Sequence, residues 1–167
     1  MNKPQSTQPW IYSEAVKDHF LSPRNFLVGD PANYNFDAQG LAGNPICGDE
    51  MIVYIKVSWR ETPSQKPFSK SEFTSVSKTE IKRKGRKENV SPFLSEVKWK
   101  TYGCASAIAS TSALSELAKG KTLDEAMNIT AEDIEQYLGG LPKHKFHCSV
   151  LGQEALKNAI ENYRNKK

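Results

Sequence analysis

Val97-Lys98-Trp99-Lys100-Thr101-Tyr102-Gly103-Cys104-Ala105-Ser106-Ala107-Ile108 reads as a strand running straight into a helix, with a cysteine at the corner. Val97, Trp99 and Thr101 alternate with Lys98, Lys100 and Tyr102, the period-two pattern of a half-buried strand. Gly103 breaks the strand. Ala105 to Leu117 then runs in small residues and good helix formers, with Ile108, Leu114 and Leu117 as its larger apolar members. Gly120 is the expected C′ residue. Cys104 therefore stands at a helix N-terminus, where free N–H groups and the helix dipole favour a thiolate. The plain alternative is a small buried cysteine.

Working outward, Met51 to Trp59 is the clearest strand, with Met51, Val53, Ile55, Val57 and Trp59 on one face. An earlier strand is expected where Tyr34, Phe36 and Ala38 alternate with polar residues. Between them, Gly40-Leu41-Ala42-Gly43-Asn44-Pro45-Ile46-Cys47-Gly48-Asp49 reads as a tight loop. Tyr12 to Leu21 reads as a helix capped by Ser13 and stopped by Ser22-Pro23. His19 on it is read as structural, since nothing ligand-like stands at helical spacing. Downstream, Leu123–Met127 and Ala131–Leu138 read as short helices, capped by Thr122 or Asp124 and by Thr130. A last helix follows, with Leu151, Ala155, Ala159 and Tyr163 on one face and Cys148 at its start. That start gives Cys148 the same expected dipole assistance as Cys104.

Polar composition, with 38% apolar residues and a mean hydropathy of −0.60, describes one domain of 167 residues. No apolar run is long enough for a membrane helix, and Met1 to Pro9 lacks the apolar region of a secretory signal. Three cysteines far apart do not form a disulfide framework, so a reducing, cytoplasmic setting is expected. The charge is uneven. Residues 60–89 hold nine Lys/Arg and four Glu, a net of +5 in a chain of net +4. The basic balance thus belongs to one segment, at about 60–92, and is no sign of a nucleic-acid or membrane protein. This segment reads as an insertion between the second and third strands. Phe73–Ile81 is an expected extra strand, and Lys82-Arg83-Lys84-Gly85-Arg86-Lys87 an expected solvated tip. If the two strands pair antiparallel, Cys47 and Cys104 share one end of the sheet and the insertion bridges the other.

Each cysteine stands at an element boundary: Cys47 in a Gly/Pro loop, Cys104 and Cys148 at helix starts. With Asp49 and His147 they make a set of soft and borderline donors suited to zinc or an iron–sulfur cluster. The separations, 57 and 44 residues, are not those of a short-range zinc finger. At this level metal site and buried thiols both stay open.

Five ordered stretches resemble the iron–sulfur cluster assembly scaffold family, IscU and the N-terminal domain of NifU. They are Tyr12-Ser13-Glu14 with Ser22-Pro23-Arg24-Asn25, Gly43 to Asp49, Thr101 to Ser110, Lys119 to Ala126, and Leu141-Pro142-Lys143-His144-Lys145-Phe146-His147-Cys148-Ser149. The resemblance implies an α+β fold, a three-stranded antiparallel sheet with helices packed on it. It implies an assembly site of Cys47, Cys104, Cys148, Asp49 and His147, with Cys148 as first sulfur acceptor. It also implies a cluster, of the two-iron two-sulfur type, as cargo, with iron as its precursor and zinc in the cluster-free form. The partners it implies are a cysteine desulfurase, apo iron–sulfur proteins and an Hsp70-type chaperone at Leu141, Pro142 and Lys145. The role is that of a scaffold and carrier, not an enzyme; a homodimer is left open.

Three features depart from the family pattern. One is the insertion. The second is the chaperone stretch, Leu-Pro-Pro-Val-Lys in the family, where Lys143 and His144 stand in place of Pro-Val. The third is the end at Lys167, which leaves no room for the further domains of NifU. The zinc-dependent sulfur acceptors of the SufU type are the alternative; they carry Lys where this chain has His147, and their insertion follows the second cysteine. A structural zinc protein and a thiol enzyme, with Cys148 as nucleophile and His144 or His147 as base, complete the set.

Overall fold

The computed structural model describes residues 12–61 and 90–166. Three strands, β1 (Ala38–Asn44), β2 (Asp49–Glu61) and β3 (Val90–Tyr102), form an antiparallel sheet in the order β1-β2-β3. Five helices accompany them: α1 (Glu14–Leu21), α2 (Ala105–Ala118), α3 (Leu123–Met127), α4 (Ala131–Tyr137) and α5 (His147–Asn165). The register runs from Glu50 opposite Tyr102 to Glu61 opposite Val90, with a bulge at Lys56/Val57. The turn holding Cys47 and the exit of β3 toward Cys104 therefore lie at one end of the sheet. Glu61 and Val90, which flank the inserted segment, meet at the other. The expected strand at Phe73–Ile81 and the basic run Lys82 to Lys87 lie outside the described residues.

One sheet face carries Met51, Val53, Ile55, Val97 and Trp99, each no more than 1% exposed, and α2 and α5 pack on it. The other strands are longer than the alternation predicts. The first strand is displaced. It spans Ala38–Asn44, and Tyr34–Phe36 instead folds over the outer face, where Phe36 packs on Tyr54 at 5.3 Å. The loop expected from Gly40 onward shrinks to the four residues 45–48. The reason is how closely α5 approaches. A Cβ on Gly40 would come within 2.2 Å of the Ala155 carbonyl oxygen and the Ala159 nitrogen, so only glycine fits opposite the helix backbone. A strand of glycine and alanine has no hydrophobic signature to read.

α5 also runs along the free edge of β1. Asn158 and Asn162 donate through Nδ2 to the carbonyls of Leu41 and Gln39 at 2.8 and 2.9 Å, and Lys166 donates to the carbonyl of Asp37 at 3.1 Å. At the opposite edge, Leu27 N–H donates to Trp99 O (2.9 Å), Leu94 N–H to Lys121 O (2.8 Å) and Gly120 N–H to Leu94 O (2.7 Å). Local signals hold for the helices. Ser13 caps α1, accepting from Val16 N–H at 3.1 Å. Thr122 with Glu125 and Thr130 with Asp133 form capping boxes on α3 and α4. Gly120 follows α2 with φ +83°. Buried hydroxyls of α2 tie in the N-terminal segment: Ser112 Oγ lies 2.8 Å from His19 Nδ1 and accepts from Arg24 N–H at 2.8 Å.

Candidate metal centre

Three segments of chain meet at the turn end of the sheet. The β1–β2 turn carries Cys47. Asn44 shapes it: its side chain accepts from Ile46 N–H at 2.9 Å and its carbonyl from Gly48 N–H at 2.8 Å. Gly48, at φ +74°, takes the left-handed backbone that brings the chain back into β2. Asp49 follows. By strand alternation it belongs to the same face as Met51 and Val53, and it is only 7% exposed. There it meets the starts of α2 and α5. Cys104 is the N-cap residue of α2, and His147 and Cys148 are the first two residues of α5.

The donors interlock through Asp49. Cys104 Sγ and Cys148 Sγ are 3.9 Å apart, and each lies 3.8 Å from the same Asp49 oxygen, Oδ2. The donor atoms of Cys47, Asp49 and His147 form a second group, all within 4.8 Å of one another. All five residues singled out in the sequence are thus brought together. Cys47 is exposed, Cys104 half-buried and Cys148 fully buried. His147 Nε2 is buried and has no hydrogen-bond partner among the described residues. Buried polar atoms are ordinarily paired, so this one is a donor in want of a ligand.

Two further residues belong to the centre. Lys145 Nζ lies 3.8 Å from Cys104 Sγ, and the sulfur's negative charge raises the lysine pKa above its ordinary value. Gly103, read from sequence only as a strand breaker, makes room for the carboxylate: a Cβ there would come within 3.1 Å of the Asp49 carboxyl carbon. For Lys145 the signal was available, since it precedes Cys148 by three residues in a helical approach. For Gly103 there was none.

Burial corrects one expectation. Both thiols stand at helix starts, but burial pushes the Cys148 thiol far above its ordinary value of 9.0, and the neighbouring Cys104 and Asp49 push it further. A helix dipole offers at most about 2 kcal/mol. Full desolvation moves a pKa by up to about 3–5 units, or roughly 4–7 kcal/mol, and wins. A metal cation is the agent that can displace such a proton.

The donor set fits a metal. A regular tetrahedron with its centre about 2.3 Å from each corner, the zinc–sulfur distance, has edges of about 3.8 Å. The Cys104–Cys148–Asp49 triangle has those edges. Other titratable groups fall elsewhere. His19 packs between Ser112 and Glu116, and burial lowers its pKa. His144 lines a cleft of about 560 Å³ between the Cys47 turn and the start of α5. Leu141 is buried at 9% exposure. No helix among the described residues is long and apolar enough to cross a membrane.

Known proteins share this sequence and fold. The NifU-like N-terminal domain profile matches residues 11–64 and 86–167, and its gap falls inside the inserted segment. The iron–sulfur cluster assembly scaffold protein IscU of Escherichia coli is 37% identical over 156 residues, covering 93% of this chain and 96% of that protein. IscU 1 of Archaeoglobus fulgidus is 39% identical, covering 93% and 78%. The nitrogen fixation protein NifU of Nostoc is 40% identical, and this chain spans 42% of its length. Among solved structures, the N-terminal NifU-like protein of Brucella abortus superposes with a TM-score of 0.58 at 13% identity, covering 93% and 95%. A SufU of Fervidobacterium islandicum gives 0.54 at 20%, covering 89% and 96%; both agree in fold.

Proposed function

The chain belongs to the family of NifU-like N-terminal domains, and from that membership we propose that it is a scaffold on which an iron–sulfur cluster is built and from which the cluster passes to apo-proteins. The observation that carries this reading is the convergence of three thiols, a buried carboxylate and an unpartnered imidazole from three separate segments. The relatives that cover most of the chain at 37–39% identity are named scaffold proteins, whereas the SufU likeness lies in the fold alone. The cluster is cargo, of the two-iron two-sulfur type, held by Cys47, Cys104 and Cys148 with Asp49 or His147 completing the set. The chain is a carrier without turnover on a small substrate. Its unpaired cysteines suit a reducing, cytoplasmic setting. In the cluster-free chain, zinc would be held by the same donors.

Sulfur arrives from a cysteine desulfurase at Cys148. Once uncovered, the Cys148 thiol gives up its proton and its sulfur attacks the outer sulfur of the donor's persulfide; that S–S bond breaks and the donor sulfur leaves as a thiolate that takes up a proton, with no net oxidation. Because Cys148 is fully buried, delivery requires its sulfur to be uncovered, and the 141–146 stretch that leads into it is the segment expected to move. That stretch is also where an Hsp70-type chaperone would bind. Grasping it pulls Leu141 from the core and Lys145 from Cys104, which links chaperone binding to cluster release.

Anaerobic addition of iron and sulfide tests the proposal. The expected result is a brown protein with thiolate-to-iron charge-transfer absorption that activates an apo iron–sulfur acceptor. Iron left unbound by a folded, zinc-free chain would overturn it.

A further inference from the structure

Away from the thiols, we infer that a groove formed by α2, α3 and α4 is the docking site of the chain's own basic run, Lys82 to Lys87. The groove lies at the C-terminal turn of α2, where about 20 Å of helix separates Leu117 from Cys104.

The groove is a cleft of about 410 Å³. Leu117 and the buried Ile129 give it an apolar lining, and the half-exposed ring of Tyr137 adds an aromatic one. Glu125 and Asp133 supply its carboxylates. Both are held in place by capping boxes. Thr122 donates to Glu125 through Oε2 and Thr130 to Asp133 through Oδ2, so each second oxygen has no partner among the described residues. The threonine hydrogen bonds, and after them the field of Lys121, hold both carboxyls below their ordinary pKa values. Two fixed, charged carboxylates over an apolar lining are preorganised for a cation with a long stem.

Charge and chain connection name the occupant. Residues 105–141, which build the helices around the groove, hold six Asp/Glu against two Lys, a net of −4. Residues 62–89 hold eight Lys/Arg against three Glu, a net of +5, and five of those cations stand in Lys82-Arg83-Lys84-Gly85-Arg86-Lys87. The inserted segment ends beside the groove. It enters β3 at Val90, and Phe93 bridges Thr122, which lies in the chain between Lys121 and Glu125. Arg60 sits over Phe93 at 5.0 Å, near enough for its charge to add to the lowering at Glu125. Lys87 precedes Val90 by three residues and Lys82 by eight, a reach of at most about 10 and 28 Å. So tethered, the run meets the groove at an effective concentration on the order of millimolar, which favours it over a second copy. Lysine and arginine stems cover the apolar lining while their heads meet the carboxylates, and a guanidinium can stack on Tyr137. Single exposed ion pairs are weak, so the hold comes from several acting together, and salt weakens it. Docked there, the cations are withheld from acidic surfaces of other proteins.

Zero-length carbodiimide cross-linking of the full chain tests this, read by mass spectrometry of the monomer. At low salt, Lys82, Lys84 or Lys87 is expected to join Glu125 or Asp133. The links should be lost at about 1 M salt, where the screening length falls to about 3 Å. Gln136→Lys adds a positive charge to the lining without touching either capping box, and is expected to cut the links several-fold. A reading free of cross-linker comes from amide resonances. Exchanging residues 82–87 for Gly and Ser should shift those of Glu125, Asn128 and Asp133 and leave those of Asp49 and Cys104 in place. Links that reach only carboxylates elsewhere, or that persist in high salt, would overturn the inference, as would groove amides that do not move. Links joining isotope-labelled to unlabelled chains would hand the groove to a second copy and overturn it too.

Discussion

The two ends of the sheet are made from the same three strands and do opposite work. At the turn end, the chain narrows to glycine, asparagine and short caps, and Cys47, Cys104, His147 and Cys148 crowd around the Asp49 carboxylate. At the far end, β2 and β3 pair out to Glu61 and Val90, Arg60 stacks on Phe93 at 5.0 Å, and the metal-capable groups found among the described residues are all at the other end. The difference teaches where tolerance lies. A strand pair can be lengthened at its far end without moving a donor, because register propagates from pair to pair. The turn end has no such freedom, since α2 and α5 each begin there with a thiol.

The sharpest way to break the contrast is to remove one donor. Cys104→Ser is expected to abolish the reconstituted cluster spectrum in a folded protein. The loss of metal affinity should exceed the roughly 10–100-fold cost of losing a mere partner of a ligand. An unchanged spectrum would move the site elsewhere. Gly40→Ala comes next. A Cβ against the backbone of α5 should destabilise the chain by about 3 kcal/mol or more in urea. A cost near zero would mean that α5, and with it His147 and Cys148, is not pinned by β1.

Alkaline pH sharpens the comparison without touching the far end. The folded, metal-free chain holds the Cys148 thiol protonated more tightly than the unfolded chain does. The stability it contributes is therefore complete below the ordinary thiol value of 9.0 and is lost as pH rises above it. The urea midpoint should fall between neutral and alkaline pH more for the parent than for Cys148→Ser; equal slopes would show that burial does not govern this thiol.

Asp49→Ala is a subtler lesion. Assembly from iron and sulfide is expected to persist while transfer to an apo-acceptor slows, because a hard oxygen donor at a thiolate-rich site is the weak ligand that lets cargo leave. Faster release than the parent would refute that role. The smallest effect belongs to the far end: replacing residues 62–89 by a short Gly/Ser turn should leave cluster yield unchanged. Closure entropy alters stability by only about 1.5 kcal/mol, since each doubling of loop length is worth about 0.6. Lost reconstitution in a folded variant would show that the two ends are coupled.

The helices, the second and third strands and the three boundary cysteines that meet Asp49 and His147 were legible because each has a local cause: a cap, a period, a glycine, or a thiol at a boundary. The first strand was not. Ala38, Gly40 and Ala42 alternate as a strand should, yet their smallness answers to a helix more than a hundred residues downstream. The same limit hid the space at Gly103 and the height of the Cys148 pKa. These depend on what burial brings near, and spacing along the chain does not report it.

The asparagines of α5 have a bearing on how other proteins approach. Four residues of helix rise about 6 Å and two residues of strand about 6.6 Å, so Asn158, Asn162 and Lys166 keep step with the carbonyls of Leu41 and Gln39 in β1 and of Asp37 just before it. They stand in for a fourth strand. With Leu27 and Lys121 bonded along β3, both borders of the sheet are already occupied over much of their length. A visiting protein that tried to add a strand here would have to displace those bonds. Hand-over partners are therefore expected to grip side chains around the Cys47 turn, and chains of this kind to resist edge-to-edge stacking into fibres.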